Sequence, residues 1–226
     1  MSSLIGYKER RYPTTSRIAR ERLVLKASHK KDSKPHSNNR PTNQLRIIGG
    51  QWRGRKLSFP DVEGLRPTGD RIRETLFNWL APDIRSARSL DIFAGSGALG
   101  LEALSRGASH SLMLERDPQA TRQLQANLDL LQASNGQLIQ TDALTLLRAG
   151  NSTEPFDIVF IDPPFQLDLW QAVIDALESG KWLADEAIIY LEAGRESAYQ
   201  APAHWLLYRD KYAGKVSYKL YLRGSA

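Results

Sequence analysis

Two short stretches hold most of the residues capable of chemistry. Asp162-Pro163-Pro164-Phe165 follows the apolar run Ile158–Ile161. Two prolines after a buried strand fix an extended loop whose carbonyls point outward and are not reclaimed by helix or sheet. A carboxylate beside a proline carbonyl offers two hydrogen-bond acceptors suited to an exocyclic amino group, and Phe165 adds a flat face for a base. An Asp-Pro pair alone also starts many plain loops. The second stretch, Leu90–Gly100, reads L-D-I-F-A-G-S-G-A-L-G. A glycine-rich turn from strand to helix brings bare backbone and a helix start against a polar ligand. Its spacing fits G-x-G-x-x-G, and Glu115 follows at the distance of a ribose-binding acid. The turn by itself indicates a nucleoside cofactor. Asp91 inside the first strand, together with D-P-P-F at the end of a fourth, argues against a nicotinamide cofactor, which has no use for the tetrapeptide.

These residues need elements to hold them. Leu90–Phe93 is a short strand, and a helix runs from the glycine turn to about Arg106, stopped by Gly107. Ser111–Glu115 is a strand, and Asp117-Pro118 opens a helix striped by Leu124, Leu128 and Leu131. Leu138–Gln140 is a strand ending in Thr141-Asp142-Ala143, and a helix spans about Asp168 to Ser179. Further strands fall at Ala187–Glu192, Leu206–Tyr208 and Val216–Leu222. Alternating strands and helices predict an α/β fold with a mostly parallel sheet covered on both faces. Ligands of such sheets lie over the strand C-termini, where Asp91–Gly97, Glu115, Asp142 and Asp162 all fall.

A chain of 226 residues, 41% hydrophobic with five Trp, can bury a full core as one α/β domain. Cysteine is absent and the four histidines are scattered, so no metal site is expected. No apolar run is long enough for a membrane span and no signal-peptide core is visible, so a soluble, cytoplasmic protein is expected. The sequence does not speak to oligomeric state; a monomer is the expectation.

Positive charge is concentrated early. Residues 1–43 sum to +8 and residues 44–73 to +4, whereas residues 74–226 sum to −6. That asymmetry suits a polyanionic partner. Within residues 1–43, Ile18–Leu25 has the pattern of one or two helical turns, and Ser28–Thr42 reads as disordered. The segment is a solvated tail, an arm for a nucleic-acid backbone or a transit peptide; Glu9, Glu21 and the lack of a sustained amphipathic helix count against the last. Residues 44–60 form a basic extension. Leu45, Ile47 and Ile48, a Gly49-Gly50 turn and a return strand from Trp52 to Leu57 predict a β-hairpin. Arg46, Arg53, Arg55 and Lys56 supply charge for phosphate, while Trp52 either faces a base or packs on the body. A domain over 61–226 follows. Its first helix, Arg71–Leu80, buries Ile72, Leu76, Trp79 and Leu80, is capped by Asp70 or Thr68, and ends before Pro82. Arg66, Arg71 and Arg73 lie on the other side, as solvated charges or as contacts to cofactor or RNA.

The segments R-I-I-G-G-Q-W-R-G-R-K-L, L-R-P-T-G-D-R-I-R-E-T-L-F-N-W-L, L-D-I-F-A-G-S-G-A-L-G-L-E-A-L-S-R-G-A and D-P-P-F resemble the bacterial 16S ribosomal RNA guanine-N2 methyltransferases. The resemblance covers about Leu45 to Leu222 and leaves residues 1–43 outside. It implies a Rossmann-like class I fold, a seven-stranded sheet with one antiparallel strand, S-adenosylmethionine as cofactor, and a guanine of small-subunit rRNA, within small-subunit particles, as substrate. It further implies that the backbone of Phe93, Ala94, Gly95, Ser96 and Gly97 approaches the methionine part of the cofactor. Asp91 would order that turn, Glu115 beside Arg116 would take the ribose hydroxyls, and Asp142 with Thr141 and Ala143 would read the adenine. Asp162, Pro163, Pro164 and Phe165 become the candidate catalytic residues, with Asp162 and the Pro163 carbonyl accepting the two N–H bonds of guanine N2. Two other classes stay open: an amino-methyltransferase acting on adenine N6 or on a protein glutamine, and a non-catalytic RNA-binding protein. The filled site positions argue against the second.

Overall fold

In the computed structural model, residues 43–62 and 68–224 are described. The expectations for the basic tail, apart from its last residue, and for Arg66 lie outside them. Apolar strand runs and leucine-striped helices assemble into a seven-stranded sheet. Its strands are β3 (Arg88–Asp91), β4 (His110–Glu115), β5 (Gly136–Gln140), β6 (Phe156–Ile161), β7 (Leu183–Gly194), β8 (Trp205–Ala213) and β9 (Val216–Arg223). Their order is β5-β4-β3-β6-β7-β9-β8, and β9 alone runs opposite to the other six strands. The chain winds outward from β3 in one direction and from β6 in the other. The carboxyl ends of β3 and β6 therefore meet at the point where strand order reverses, the usual ligand crevice of such sheets.

Both faces are covered. Leu90, Leu112, Leu114, Val159, Ile161, Ile189 and Leu191 pack with Leu147 of α4 (Ala143–Ala149) and with Trp170, Val173 and Leu177 of α5 (Trp170–Ser179). On the opposite face, Phe160, Tyr190 and Leu220 meet Leu76 and Phe77 of α1 (Asp70–Trp79). Met113 meets Leu101 and Leu104 of α2 (Gly100–Ser105) and Leu124 and Leu128 of α3 (Pro118–Leu131). Asp117 caps α3, its carboxylate accepting from the N–H groups of Gln119 and Ala120.

The extension is the antiparallel pair β1 (Asn43–Arg46) and β2 (Lys56–Phe59). Its connection differs from the expected Gly49-Gly50 hairpin turn. The strands are joined by residues 47–55, and Trp52 to Arg55 belong to that loop rather than to the return strand. The loop is held from outside: Glu102 of α2 accepts from the N–H groups of Ile48 and Gly49, each at 2.8 Å, and Ser105 Oγ accepts from that of Trp52 at 3.0 Å. Tertiary contacts thus replace the local turn chemistry on which a two-residue hairpin depends. Other boundaries differ as well. Helix α4 is absent from the expected elements, α5 begins at Trp170 after a 3-10 turn at Phe165–Leu167, and β7 and β8 extend well beyond their apolar cores. Pairing with β9 accounts for the extra length of β8 and for the last residues of β7, while the start of β7 is added by Leu183 pairing with Phe156 of β6.

Candidate active site

Strand register explains which side chains meet. Asp91 at the end of β3 pairs with Phe160, which pairs in turn with Tyr190 of β7. Because successive strand residues alternate faces, Asp162 and Glu192, two positions beyond Phe160 and Tyr190, fall on the face of Asp91. Three carboxyl groups therefore collect at one edge of the sheet. Asp91 is buried, and its Oδ2 accepts from the Gly100 N–H at 2.9 Å, which orders the start of α2. Burial, helped by the charge of Glu115, pushes its carboxyl up to about 7. Burial and the neighbouring Glu192 and Asp91 push the Asp162 carboxyl well above the ordinary range, against a hydrogen bond from Thr68. Glu192 is also raised by burial, and its Oε2 accepts from the Tyr190 hydroxyl at 2.8 Å. A site with three crowded carboxylates favours a cationic ligand.

The glycine turn lies beside them. Gly97 has φ +79°, and a Cβ there would stand 2.4 Å from Leu124 Cδ1, so the turn admits no side chain at this position. Glu115, at the end of β4, accepts from Gly95 N–H through Oε2 (2.8 Å) and from Asp117 N–H through Oε1 (2.7 Å). Each oxygen keeps a second lone pair for a ligand. Phe93 and Gly95 are partly exposed, Ala94 and Ser96 are buried, and Arg116 is exposed. At the end of β5, Asp142 caps α4, its Oδ1 accepting from the N–H and hydroxyl of Thr145. These bonds hold its carboxyl below the usual range. Thr141 is partly exposed and Ala143 buried.

The D-P-P-F loop is more constrained than expected. The Pro164 carbonyl is reclaimed, accepting from Leu167 N–H at 3.0 Å as the 3-10 turn forms. The Pro163 carbonyl has no hydrogen-bond partner among the described residues. Phe165 is 37% exposed, its ring centroid 5.7 Å from that of Trp170.

Thr68 and Asp70 do not cap α1; its N-cap is Gly69, with no side-chain bond. Thr68 instead donates its hydroxyl to Asp162 Oδ2 at 3.2 Å. Arg73 is a second correction, because it is fully buried and cannot meet RNA. It donates to the carbonyls of Thr68 (3.1 Å) and Arg46 (2.9 Å), pairs with Asp70 at 2.6 Å, and lies 3.6 Å from buried Glu102. Sequence reasoning assigns it to a polar helix face because an arginine two positions after Arg71 carries no mark of burial. It also passes over Glu102 and Glu192. The available signal is an isolated acid within an apolar run, in Ala98–Leu104 and Ile188–Ala193.

Arg53, Arg55, Lys56 and Arg71 are exposed, as is Arg46, which pairs with Asp70 at 3.3 Å. Trp52 is partly buried and packs on the cluster containing Ile47, Leu101 and Leu104, so its ring serves the body.

A mostly parallel seven-stranded sheet, with β9 inserted antiparallel and a glycine turn at the switch point, is the Rossmann-like class I methyltransferase fold. The solved structure of yhhF from Escherichia coli superposes with TM-score 0.75 at 53% identity, covering 81% of this chain and all of that one. The chain belongs to the family described as Conserved hypothetical protein 95, which matches residues 45–222. Among its relatives, ribosomal RNA small subunit methyltransferase D of Escherichia coli K12 is 52% identical over 187 residues, 82% of this chain and 93% of that protein. The Haemophilus influenzae protein of the same name is 46% identical over 180 residues, 79% and 93% of the two chains.

Proposed function

We propose that the protein transfers a methyl group from S-adenosylmethionine to the exocyclic N2 of a guanine in 16S rRNA of the small ribosomal subunit. The observation that carries this reading is the pair of acceptors ending β6: a carboxylate and a Pro163 carbonyl without a hydrogen-bond partner among the described residues, beside the glycine turn and flanked by Phe165. The names of the relatives support an rRNA substrate.

The residues present fit the cofactor. Its ammonium and sulfonium are cationic, and a cation beside Asp91 would favour the ionised form that burial and Glu115 disfavour. When bound, it supplies a methyl group already activated on sulfur. Glu115 would hold the ribose hydroxyls through its free lone pairs. Asp142 Oδ2 and the backbone of Thr141 and Ala143 would face the adenine.

Asp162 Oδ1, left open by Thr68 on Oδ2, and the Pro163 carbonyl accept the two N–H bonds of guanine N2. That turns the amino lone pair out of conjugation with the ring. Phe165 stacks the base. Orientation and electrostatics account for the protein's contribution; the proton that N2 sheds on methylation would pass to Asp162 or to water, so no separate strong base is needed. Arg46, Arg53, Arg55, Lys56 and Arg71 offer phosphate contacts, and residues 1–43, outside the family match, add a basic arm.

The test is transfer of labelled methyl to small-subunit particles and naked 16S rRNA, followed by mass spectrometry of the nucleosides. N2-methylguanosine is expected. Label in N6-methyladenosine, or in protein, overturns the assignment.

A further inference from the structure

The outer edge of the sheet carries a surface that the proposed chemistry does not use. Among the described residues, strand β8 pairs only with β9. Its Tyr208 and Tyr212 are 48% and 54% exposed, leaving aromatic faces open to a ligand. Residues 195–219 carry five Lys/Arg against Glu196 and Asp210, a net +3 within a region, residues 74–226, that sums to −6. The cations and aromatics are interleaved. The Arg195 guanidinium lies 4.8 Å from the centroid of the Tyr212 ring, and the Lys219 ammonium 5.6 Å from that of Tyr199.

This surface adjoins the candidate active site. The hairpin tip is tied to the end of β7 by Arg195 N–H donating to the Lys215 carbonyl at 3.0 Å, and Gly194 pairs with Val216. A methyl group built on Gly194 would stand 4.0 Å from Phe165 Cδ2. Thus the phenyl face proposed for the target base, then Gly194, Arg195 and Tyr212, follow one another along the rim.

We infer that the tip of the β8–β9 hairpin, with Arg195, Tyr212, Lys215 and Lys219, is an RNA-contact surface that holds nucleotides flanking the target base. The inference rests on the reading of rRNA as substrate. Phosphates meet the cations, and a base stacks on Tyr212, whose hydroxyl is steadied by Asp210 at 3.3 Å. The local net +3, set in an otherwise acidic region, favours a polyanion over a protein partner.

The experiment compares the full-length protein with Arg195→Ala/Lys215→Ala/Lys219→Ala and with Tyr212→Ala, using naked 16S rRNA and small-subunit particles. The triple variant should raise KM for RNA at least tenfold and flatten the log–log salt slope by about 2, since each phosphate left unneutralised removes about 0.7–0.9 from that slope. Tyr212→Ala should weaken RNA binding about 5- to 100-fold, and Tyr212→Phe should restore it. Cofactor affinity, melting temperature and kcat at saturating RNA should stay at wild-type values. Wild-type KM and salt slope in the triple variant, with the wild type active on rRNA, overturn this surface alone. A defect seen with particles but not with naked RNA also overturns it, in favour of a protein contact. A wild-type protein that methylates no rRNA overturns the functional reading first.

Discussion

The Thr68 hydroxyl donates to Oδ2 of Asp162 at 3.2 Å, across 94 positions of sequence. Thr68 is in turn held by Arg73 Nε on its carbonyl, and Arg73 also holds the Arg46 carbonyl of β1. The basic extension and the candidate catalytic carboxylate thus share one buried arginine. The Thr68 bond favours ionised Asp162 against burial and Glu192. Thr68→Val should therefore raise the Asp162 pKa further, lower turnover about tenfold near neutrality, and move the acid limb of the pH–rate profile to higher pH. Thr68→Ser should restore the wild-type profile. Superimposable profiles for Val and wild type would show that the bond does not tune the site.

Asp162→Ala is expected to abolish methyl transfer and leave cofactor binding nearly intact, since the proposed partner of this carboxylate is the substrate amine. Calorimetry beside an activity assay decides this. Loss of cofactor affinity together with activity would contradict the division of labour.

Glu115 both holds the glycine turn and offers lone pairs to a ribose. Glu115→Ala should weaken cofactor binding by about 1.5–3 kcal/mol for each charge-assisted hydrogen bond removed, with turnover recovering at saturating cofactor. Glu115→Gln, which keeps an acceptor, should lose less. Equal affinity of Ala variant and wild type in a direct titration would remove Glu115 from the cofactor site.

The Asp91 carboxyl, raised to about 7 from its ordinary value of 3.8, makes stability depend on pH. A raised acid binds its proton more tightly when folded, so its contribution is most favourable below pH 4 and declines as pH rises towards 7. Asp91→Asn keeps an acceptor for Gly100 N–H without the charge. The variant should therefore gain stability relative to the cofactor-free wild type between pH 4 and 7, reaching about 4 kcal/mol before levelling off. Binding of a cationic cofactor should release protons near neutrality, measurable in buffers of different ionisation enthalpy. A pH-independent difference between the two proteins would refute the assignment.

Buried Glu102 accepts from Ile48 N–H, Gly49 N–H and Arg106 Nε, and faces Arg73. Glu102→Ala leaves these donors unpaired and should cost about 3–5 kcal/mol, lowering the melting temperature by about 10 °C. The β1–β2 extension should become protease-sensitive before the sheet. An unchanged melting temperature would mean that water replaces the carboxylate.

The sequence by itself determined the alternation of strands and helices, and with it the parallel sheet and the crevice over the carboxyl ends of its strands. Apolar periodicity and the Gly95-Ser96-Gly97 turn are local properties, set by burial and by backbone freedom. Glu115 and Asp162 were likewise legible as acids closing strand runs, whereas Asp91, expected inside Leu90–Phe93, instead ends β3. Only the tertiary structure decided what surrounds them. That Glu192 stands beside Asp162 follows from the register of β6 on β7, and no pattern within either strand encodes that register. That Thr68 serves Asp162 rather than α1, and that Arg73 is buried rather than free for RNA, depends on where α1 and the extension pack. A polar side chain acquires its role from the partners that a fold brings within hydrogen-bonding reach, and those partners are distant in sequence.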